Sequence, residues 1–564
     1  MFKKFLVPLV CTLFVLQGNA KDAMASTEKV LKIGLPQDFD SLNQLITSML
    51  ASTYVYNMAG RKLVTLDENM VWQPQMAEQI PSLKNKLAEI INVNGVKKVK
   101  AVWNLKKNTL WGDGQPVTCD DIAFSKLVGS DKNIAVANRD AYDQVEKVEC
   151  SAQDTKKAII TYATDRWDFF RMYQFYILPK HLENAVYQQY KGQKEGYEKN
   201  TLYVKDPTNP GIYNGPFLIS EFKPGSHLIL TKNPKFYGEA PKLDKIQIKI
   251  ISNSSSIEPA ILSGDIDMVA NVGYSFDLAQ IFERKVLADK LNYKVHFAQS
   301  FSYEHIDFNL DNSILKSQTV REAILMSLDR DLLVNSMFDN KQQVADHFIV
   351  PRDPWSKVIS KSVHAKHFAR KEAEKMLDKE GWIKNEEDGY RYKDGQKMTI
   401  VFSTTAGNKM RETVAAFIQD QMKKVGIEIV MKNVPPRVFF GEVMKDRKFE
   451  GMAMYAWTFL PENPPGLFYN SKNIPNSSNG FAGRNYPGWK NDLVDKSSVE
   501  LETENSPAKR NQLISKIVAG YVTDHPTLPL YYRADVSVVP SKLKGYAPTG
   551  HQQTETNFVE KWSL

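Results

Sequence analysis

The sequence predicts a mixed α/β protein built from several compact units, and three observations carry that expectation. Strand, helix and strand patterns follow one another at residues 398–402, 411–425 and 427–431, the order of an α/β lobe. The chain has 564 residues, which at ~150 residues per unit corresponds to roughly three to four units. Its 42% hydrophobic and 24% charged residues are ordinary globular proportions, so a folded chain is expected rather than a disordered one.

The N-terminus reads as an export signal. Lys3 and Lys4 precede an apolar run over 5–16, and Gly18-Asn19-Ala20 and Ala23-Met24-Ala25 offer small residues for cleavage. Residues 1–25 are assigned to a signal peptide. Cys11 follows Val10 inside the apolar run, where a lipid-modified cysteine does not sit, so no lipid anchor is expected. No later segment has the 18 consecutive apolar residues of a membrane span. Cys119 and Cys150 remain after cleavage, and export permits a disulfide between them. Two separate buried thiols fit the spacing equally well.

The formal charge of +8 is spread over 73 basic and 65 acidic residues. Nucleic-acid readers concentrate their charge in a stripe. The densest cluster here, Lys97, Lys98 and Lys100 with Lys106 and Lys107 beyond, reads as the outer face of a strand, so no nucleic-acid partner is expected.

The remaining elements follow in order. Residues 30–35 form a strand, and 48–62 a helix with Leu50, Tyr54 and Met58 on one face. Residues 97–105 alternate with Val99, Ala101, Trp103 and Leu105 inward. Thr118 and Asp121 start a helix as a capping box. Strands occupy 143–164, a hairpin turns at Pro224-Gly225 within 217–232, and 243–251 alternates again. A short helix at 256–262 stops near Gly264. Residues 319–338 read as one amphipathic helix, capped by Thr319 and Glu322, with Val320, Ile324, Leu328 and Leu332 inward. A helix at 372–377 closes at Gly381. The helix at 411–425 turns Val414, Ile418 and Met422 inward and ends at Gly426.

Catalytic patterns are missing. No Gly-x-Ser-x-Gly elbow and no phosphate loop is present. His364 and His367 lie in a basic stretch read as helical, without a further ligand at zinc spacing. Asp265 and Asp267 lack the other ligands of a calcium loop. No enzyme activity, cofactor or metal is expected. Aromatic residues are 11% of the chain and collect in loops and at strand ends: Phe301, Tyr303, Tyr455, Trp457, Phe459, Phe468, Tyr469, Phe481, Tyr486 and Trp489. Such residues line a ligand cleft or fill a core.

Several segments together resemble the family 5 extracellular solute-binding proteins, the peptide receptors of ABC importers. They are Leu31-Lys-Ile-Gly-Leu-Pro-Gln-Asp-Phe-Asp-Ser-Leu-Asn43, Trp111-Gly-Asp-Gly-Gln-Pro-Val-Thr118, Gly215-Pro-Phe217 with Asn233-Pro-Lys-Phe-Tyr-Gly238, and Leu262-Ser-Gly-Asp-Ile-Asp267. Phe308-Asn309, Val320-Arg-Glu-Ala323, Asp329-Arg330, residues 351–355, Gly426-Ile-Glu-Ile429 and Pro529-Leu-Tyr531 continue the pattern in order.

The resemblance implies a two-lobed periplasmic-binding-protein-like fold of type II. Lobe one takes 26–71, 206–297 and 525–564, with an extra subdomain at 72–205, and lobe two takes 298–524. The chain crosses twice, near 295–303 and 528–532, and the lobes close over the ligand. It further implies a periplasmic monomer that captures a small peptide or peptide-like ligand and delivers it to an ABC transporter permease in the inner membrane. By this resemblance the ligand contacts are Ala456, Trp457 and Thr458, then Tyr303 and Phe459, with Ser48 in a loop at 47–52 facing the cleft from lobe one. Oligopeptide receptors place an aspartate three residues after the tryptophan, where this chain has Leu460. Glu462 is the nearest replacement for pairing with a ligand amine. Sugars, opines, metal chelates and murein fragments stay open as alternative ligands.

Overall fold

The computed structural model describes residues 28–564 except 40, 48, 271 and 272. The expected signal peptide, Cys11 and Ser48 lie outside the described residues.

One mixed sheet runs through the molecule. Its order is Glu428–Met431, Thr399–Ser403, Met452–Thr458, Tyr293–Phe308, Thr527–Pro540, Met268–Val269, Val30–Leu35, Lys245–Ile250, His227–Lys232 and Phe217–Lys223, with Gln343–Val344 paired to Thr527–Pro540 off this path. The two long central strands are antiparallel. Residues 293–299 face 534–540, and 303–307 face 527–532, with the register shifting between Gln299 and Tyr303. Each long strand therefore serves both ends of the sheet, and a separate core packs at each end. Leu31, Ile33, Ile246 and Ile248 belong to the first. Ile306, Phe308, Ile400, Phe402 and Met454 belong to the second. Both ends contain parallel pairs, Val30–Leu35 with Lys245–Ile250 and Thr399–Ser403 with Glu428–Met431. The helix Lys409–Lys424 covers the second pair with buried Val414, Ile418 and Met422.

A four-stranded antiparallel sheet stands apart, in the order Ala88–Val93, Val96–Asn104, Lys157–Tyr162, Val145–Cys150. Alternation decides its faces. Val99, Ala101 and Trp103 are buried, while Lys97 is exposed and Lys98 pairs with Glu146. Thr118 and Asp121 form the capping box of helix Cys119–Gly129. Cys119 and Cys150 form a disulfide with Cα atoms 5.6 Å apart, tying the start of that helix to the end of a strand.

Three expectations are corrected. Residues 319–338 hold two helices, Gln318–Ser327 and Arg330–Phe338. The break arises because the Asp329 carboxylate accepts the Leu332 N–H and caps a new helix. Ser317, not Thr319, caps the first by accepting from Val320 N–H, and Glu322 pairs with Lys366 instead. Leu332 is exposed because it follows this break. The rings of His364 and His367 lie 4.7 Å apart and tilted by 38° in a non-helical segment, and the helix starts only at Arg370. Among the described residues no group of three or more His, Cys, Asp or Glu side chains is placed to hold a metal. The helix expected over 48–62 is Leu50–Ala59, so residues 50–52 form its first turn rather than a loop, with Ala51 and Ser52 buried. The chain leaves the helix at Gly60 and carries Arg61 and Lys62 into the interior.

Two stability predictions follow from these contacts. Replacing Cys119 and Cys150 with serine should lower unfolding stability by ~3–4 kcal/mol, the chain-entropy effect for a loop of this length. Chemical denaturation of the variant against the oxidised protein measures it. The Lys62 amine is fully buried, and burial, with Arg61 adding repulsion, lowers its pKa from 10.5 to about 7. Between these values the unfolded chain holds a proton that the folded chain has released. Stability should therefore rise with pH across the window by up to about 1.4 kcal/mol per unit. Lys62→Met should remove that slope in urea titrations at pH 7.5 and 9.

Candidate functional site

The site is built on strand Met452–Thr458, which pairs along its length with Tyr293–Phe308, including Ser302 to Thr458, Tyr303 to Trp457 and Glu304 to Ala456. On the other side Thr399–Ser403 pairs with it only at Met452 and Ala453. The Thr404 hydroxyl then donates to Met454 O at 2.9 Å. Among the described residues no strand continues along Tyr455–Thr458, so this edge keeps free backbone groups. Exposure rises along it: Tyr455 is buried, Ala456 and Trp457 are half-buried, and Thr458 is exposed.

The sequence-predicted residues take different positions around this edge. The Trp457 ring stacks on Tyr486 at 5.8 Å and meets Phe468 edge-on at 4.8 Å, while Arg484 lies 5.5 Å over it. The Thr458 and Ser302 hydroxyls are hydrogen-bonded at 2.7 Å. Tyr303 departs from the expectation. It is fully buried, its hydroxyl bonds Tyr469 at 2.6 Å, and its ring stacks on His305, so it supports the strand from below instead of lining a cleft. Phe459 is buried against Tyr303, Phe348 and Phe468. Glu462 has a positive φ of 51°, and its carboxylate faces Arg171 Nη2 at 3.4 Å.

Of the wider aromatic set, Phe301, Tyr455, Phe468, Tyr469 and Trp489 are buried and serve as packing. Phe481 and Tyr486 are half-buried.

Charged groups that the sequence reading did not single out surround the edge. Glu304, on the neighbouring strand, accepts from Arg411 Nε at 2.6 Å, and Arg533 lies 4.0 Å away. Burial opposes ionisation of Glu304, but Arg411 and then Arg533 outweigh it and hold its carboxyl below the usual range. Arg411 also donates to the Thr405 hydroxyl at 3.1 Å. A carboxylate inside the buried run 300–308 demands a cation, and that demand was the legible signal.

The four-stranded subdomain reaches the same region. Arg171 donates to Pro461 O at 3.0 Å and Glu462 O at 3.1 Å, with its guanidinium 4.7 Å over Trp167. Trp167 meets Trp355 at 6.5 Å, and Arg352 donates to Glu68 O at 2.7 Å. The two ends of the molecule are thus in contact across the edge strand.

Arg411→Met should lower stability by ~3–5 kcal/mol, because it leaves a buried carboxylate without its main partner. Adding Glu304→Gln should recover part of that loss in the same denaturation assay.

Comparison with known proteins agrees with this architecture. The family model described as bacterial extracellular solute-binding proteins, family 5 Middle, matches residues 84–479. The oligopeptide-binding protein AppA of Bacillus subtilis (strain 168) is 27% identical over 535 residues, covering 94% of this chain and 90% of AppA. The oligopeptide binding protein of Thermus thermophilus, solved with a pentapeptide, superposes with a TM-score of 0.72 at 26% identity, over 94% of this chain and 95% of that one. NikA of Brucella suis, solved with Fe(III)-EDTA, gives a TM-score of 0.76 at 18% identity, over 95% of this chain and 100% of that one.

Proposed function

The chain belongs to the bacterial extracellular solute-binding proteins of family 5, and we propose that it is the peptide-capturing receptor of an ABC importer. The free edge at Tyr455–Thr458 carries this reading. An extended peptide can add to it as a further strand, so that main-chain hydrogen bonds supply affinity with little dependence on ligand sequence. A sugar or a chelate has no repeating N–H and C=O row to match such an edge. The chelate-bound NikA shares only the fold with this chain, and fold alone does not choose a ligand.

In this reading the two lobes close over the peptide, and the contacts of Arg171 and Arg352 belong to the closed arrangement. Trp457, stacked on Tyr486, forms an aromatic wall, and Ala456 and Thr458 offer their backbone. The receptor works as a periplasmic monomer, performs no chemistry on its ligand and delivers it to a membrane permease. The units at 26–71, 72–205, 206–297, 298–524 and 525–564 form the lobes as the resemblance implies.

Native mass spectrometry of protein purified without denaturant tests the proposal. A ladder of retained masses matching mixed short peptides is the expected result, and a single non-peptide mass would move the ligand to another class. Trp457→Ala should weaken peptide binding by about 2 kcal/mol, or roughly 30-fold, while unfolding stays cooperative. Unchanged affinity by calorimetry would remove Trp457 from the site.

A further inference from the structure

Beyond the end of the free edge, residues 459–465 fold over a small cavity of about 10 Å³. Its walls are mostly apolar and include Phe301, Phe348, Val350, Phe459 and Leu460. Asp353 and Asn463 supply the polar atoms. Asp353 is only 4% exposed. Its carboxylate accepts Trp355 N–H at 2.8 Å and Glu462 N–H at 2.9 Å. A carboxylate can accept about four hydrogen bonds, so about half of its capacity is used.

Among the described residues no cation lies within ion-pair distance of Asp353. Arg171 acts on it electrostatically, but its Nη1 and Nη2 groups donate to Pro461 O, Glu462 O and the Glu462 carboxylate. Burial raises the Asp353 carboxyl to about 7, with Trp355 and Glu462 N–H groups opposing, Glu462 charge adding and Arg171 opposing. That is the behaviour of a buried acid without a counter-charge. The same junction holds N–H donors with no protein acceptor: Trp167 Nε1, Trp355 Nε1 and Arg171 Nε. Trp355 and Arg171 are both more than nine-tenths buried. These donors do not line the cavity, so the deficit that a guest there meets is that of Asp353, which calls for a cation.

We propose that Asp353 receives the ammonium group of the ligand at the end of the Tyr455–Thr458 edge, and that Leu460 and Phe459 pack the apolar atoms next to that ammonium. This rests on the peptide-receptor reading above. A peptide's first residue is the fitting chemistry, because its α-ammonium ends the main chain that pairs with the free edge. A lysine side chain offers an ammonium several bonds away from the main chain. Glu462, the carboxylate that the sequence pointed to, is already engaged by Arg171 and instead donates its backbone N–H to Asp353. The small cavity in this arrangement requires the 459–465 segment to move outward as the ammonium enters.

Calorimetry on the full mature chain tests the assignment with three peptides of one sequence: free N-terminus, N-acetylated, and N-acetylated with an added lysine. Wild type should prefer the free N-terminus by about 30-fold or more, the scale of truncating one partner of a buried charge pair. Asp353→Asn should collapse that preference while binding the acetylated peptide as well or better, and Glu462→Gln should preserve it. Leu460→Lys, which places an internal ammonium beside Asp353, should selectively weaken the free peptide and covers the case in which Asp353→Asn fails to fold. The assignment is overturned if Asp353→Asn keeps the preference, if Glu462→Gln abolishes it, or if Leu460→Lys weakens all three peptides equally. Recovery of binding by the added lysine in wild type would assign the site to side-chain ammonium groups and overturn the N-terminal form. If wild type binds none of the three, the receptor reading fails first, and the assignment falls with it.

Discussion

The antiparallel pairing of Tyr293–Phe308 with Thr527–Pro540 is the constraint on which the rest of the molecule depends. A strand of 16 residues against one of 14 is far longer than either core requires. Their two halves serve different neighbours. One half completes the sheet of Val30–Leu35 and Lys245–Ile250, and the other presents Met452–Thr458. The register shift between Gln299 and Tyr303 falls between these halves. The ladder is interrupted where the two packed ends meet, while each end keeps its own core. This break in the ladder and the candidate site strand thus lie on the same long strand, Tyr293–Phe308.

The second feature is the number of charges held inside the second lobe. Buried ions are costly unless paired, and those here are met either by opposite charge or by backbone carbonyl oxygens. Glu304 is compensated by Arg411 and Arg533. The Arg330 guanidinium is satisfied by carbonyl oxygens, donating to Pro529 O at 3.0 Å and Lys366 O at 3.0 Å. Arg321 does the same with His525 O at 2.9 Å and Leu315 O at 2.8 Å. These contacts clamp the segment at 525–529 to helices Gln318–Ser327 and Arg330–Phe338, and so fix where the second long strand begins. Asp353 differs from Glu304 in that, among the described residues, no cation lies within ion-pair distance of it and it lines a cavity.

Much of the fold was legible because alternation and capping are local. Val99, Ala101 and Trp103 point inward from a two-residue period, and Thr118 with Asp121 caps its helix within one turn. The reading failed where two local signals competed. Thr319 and Glu322 satisfy a capping-box pattern, yet Ser317 begins the helix, and Asp329 starts another within the same apolar periodicity. Aromatic residues were the least legible part of the site. Tyr303 and Trp457 stand directly opposite each other on paired strands, but Tyr303 is buried under His305 and Phe459 while Trp457 stays half-open. Their sequence contexts are alike, and only the layers packed above and below tell them apart.

The sequence by itself determined the α/β class, the order of most strands and helices and the family resemblance, since these depend on neighbours a few residues away or on an ordered set of motifs. The tertiary structure decided which charges meet. Arg171 and Glu462 are 291 residues apart, Glu304 and Arg411 are 107 apart, and Asp353 and Glu462 are 109 apart. No local pattern encodes such pairings, because they arise only when the long strands bring separate packed layers together. The same reason explains why Glu462 was the carboxylate visible in the sequence, while Asp353 is buried without an ion-pair partner among the described residues.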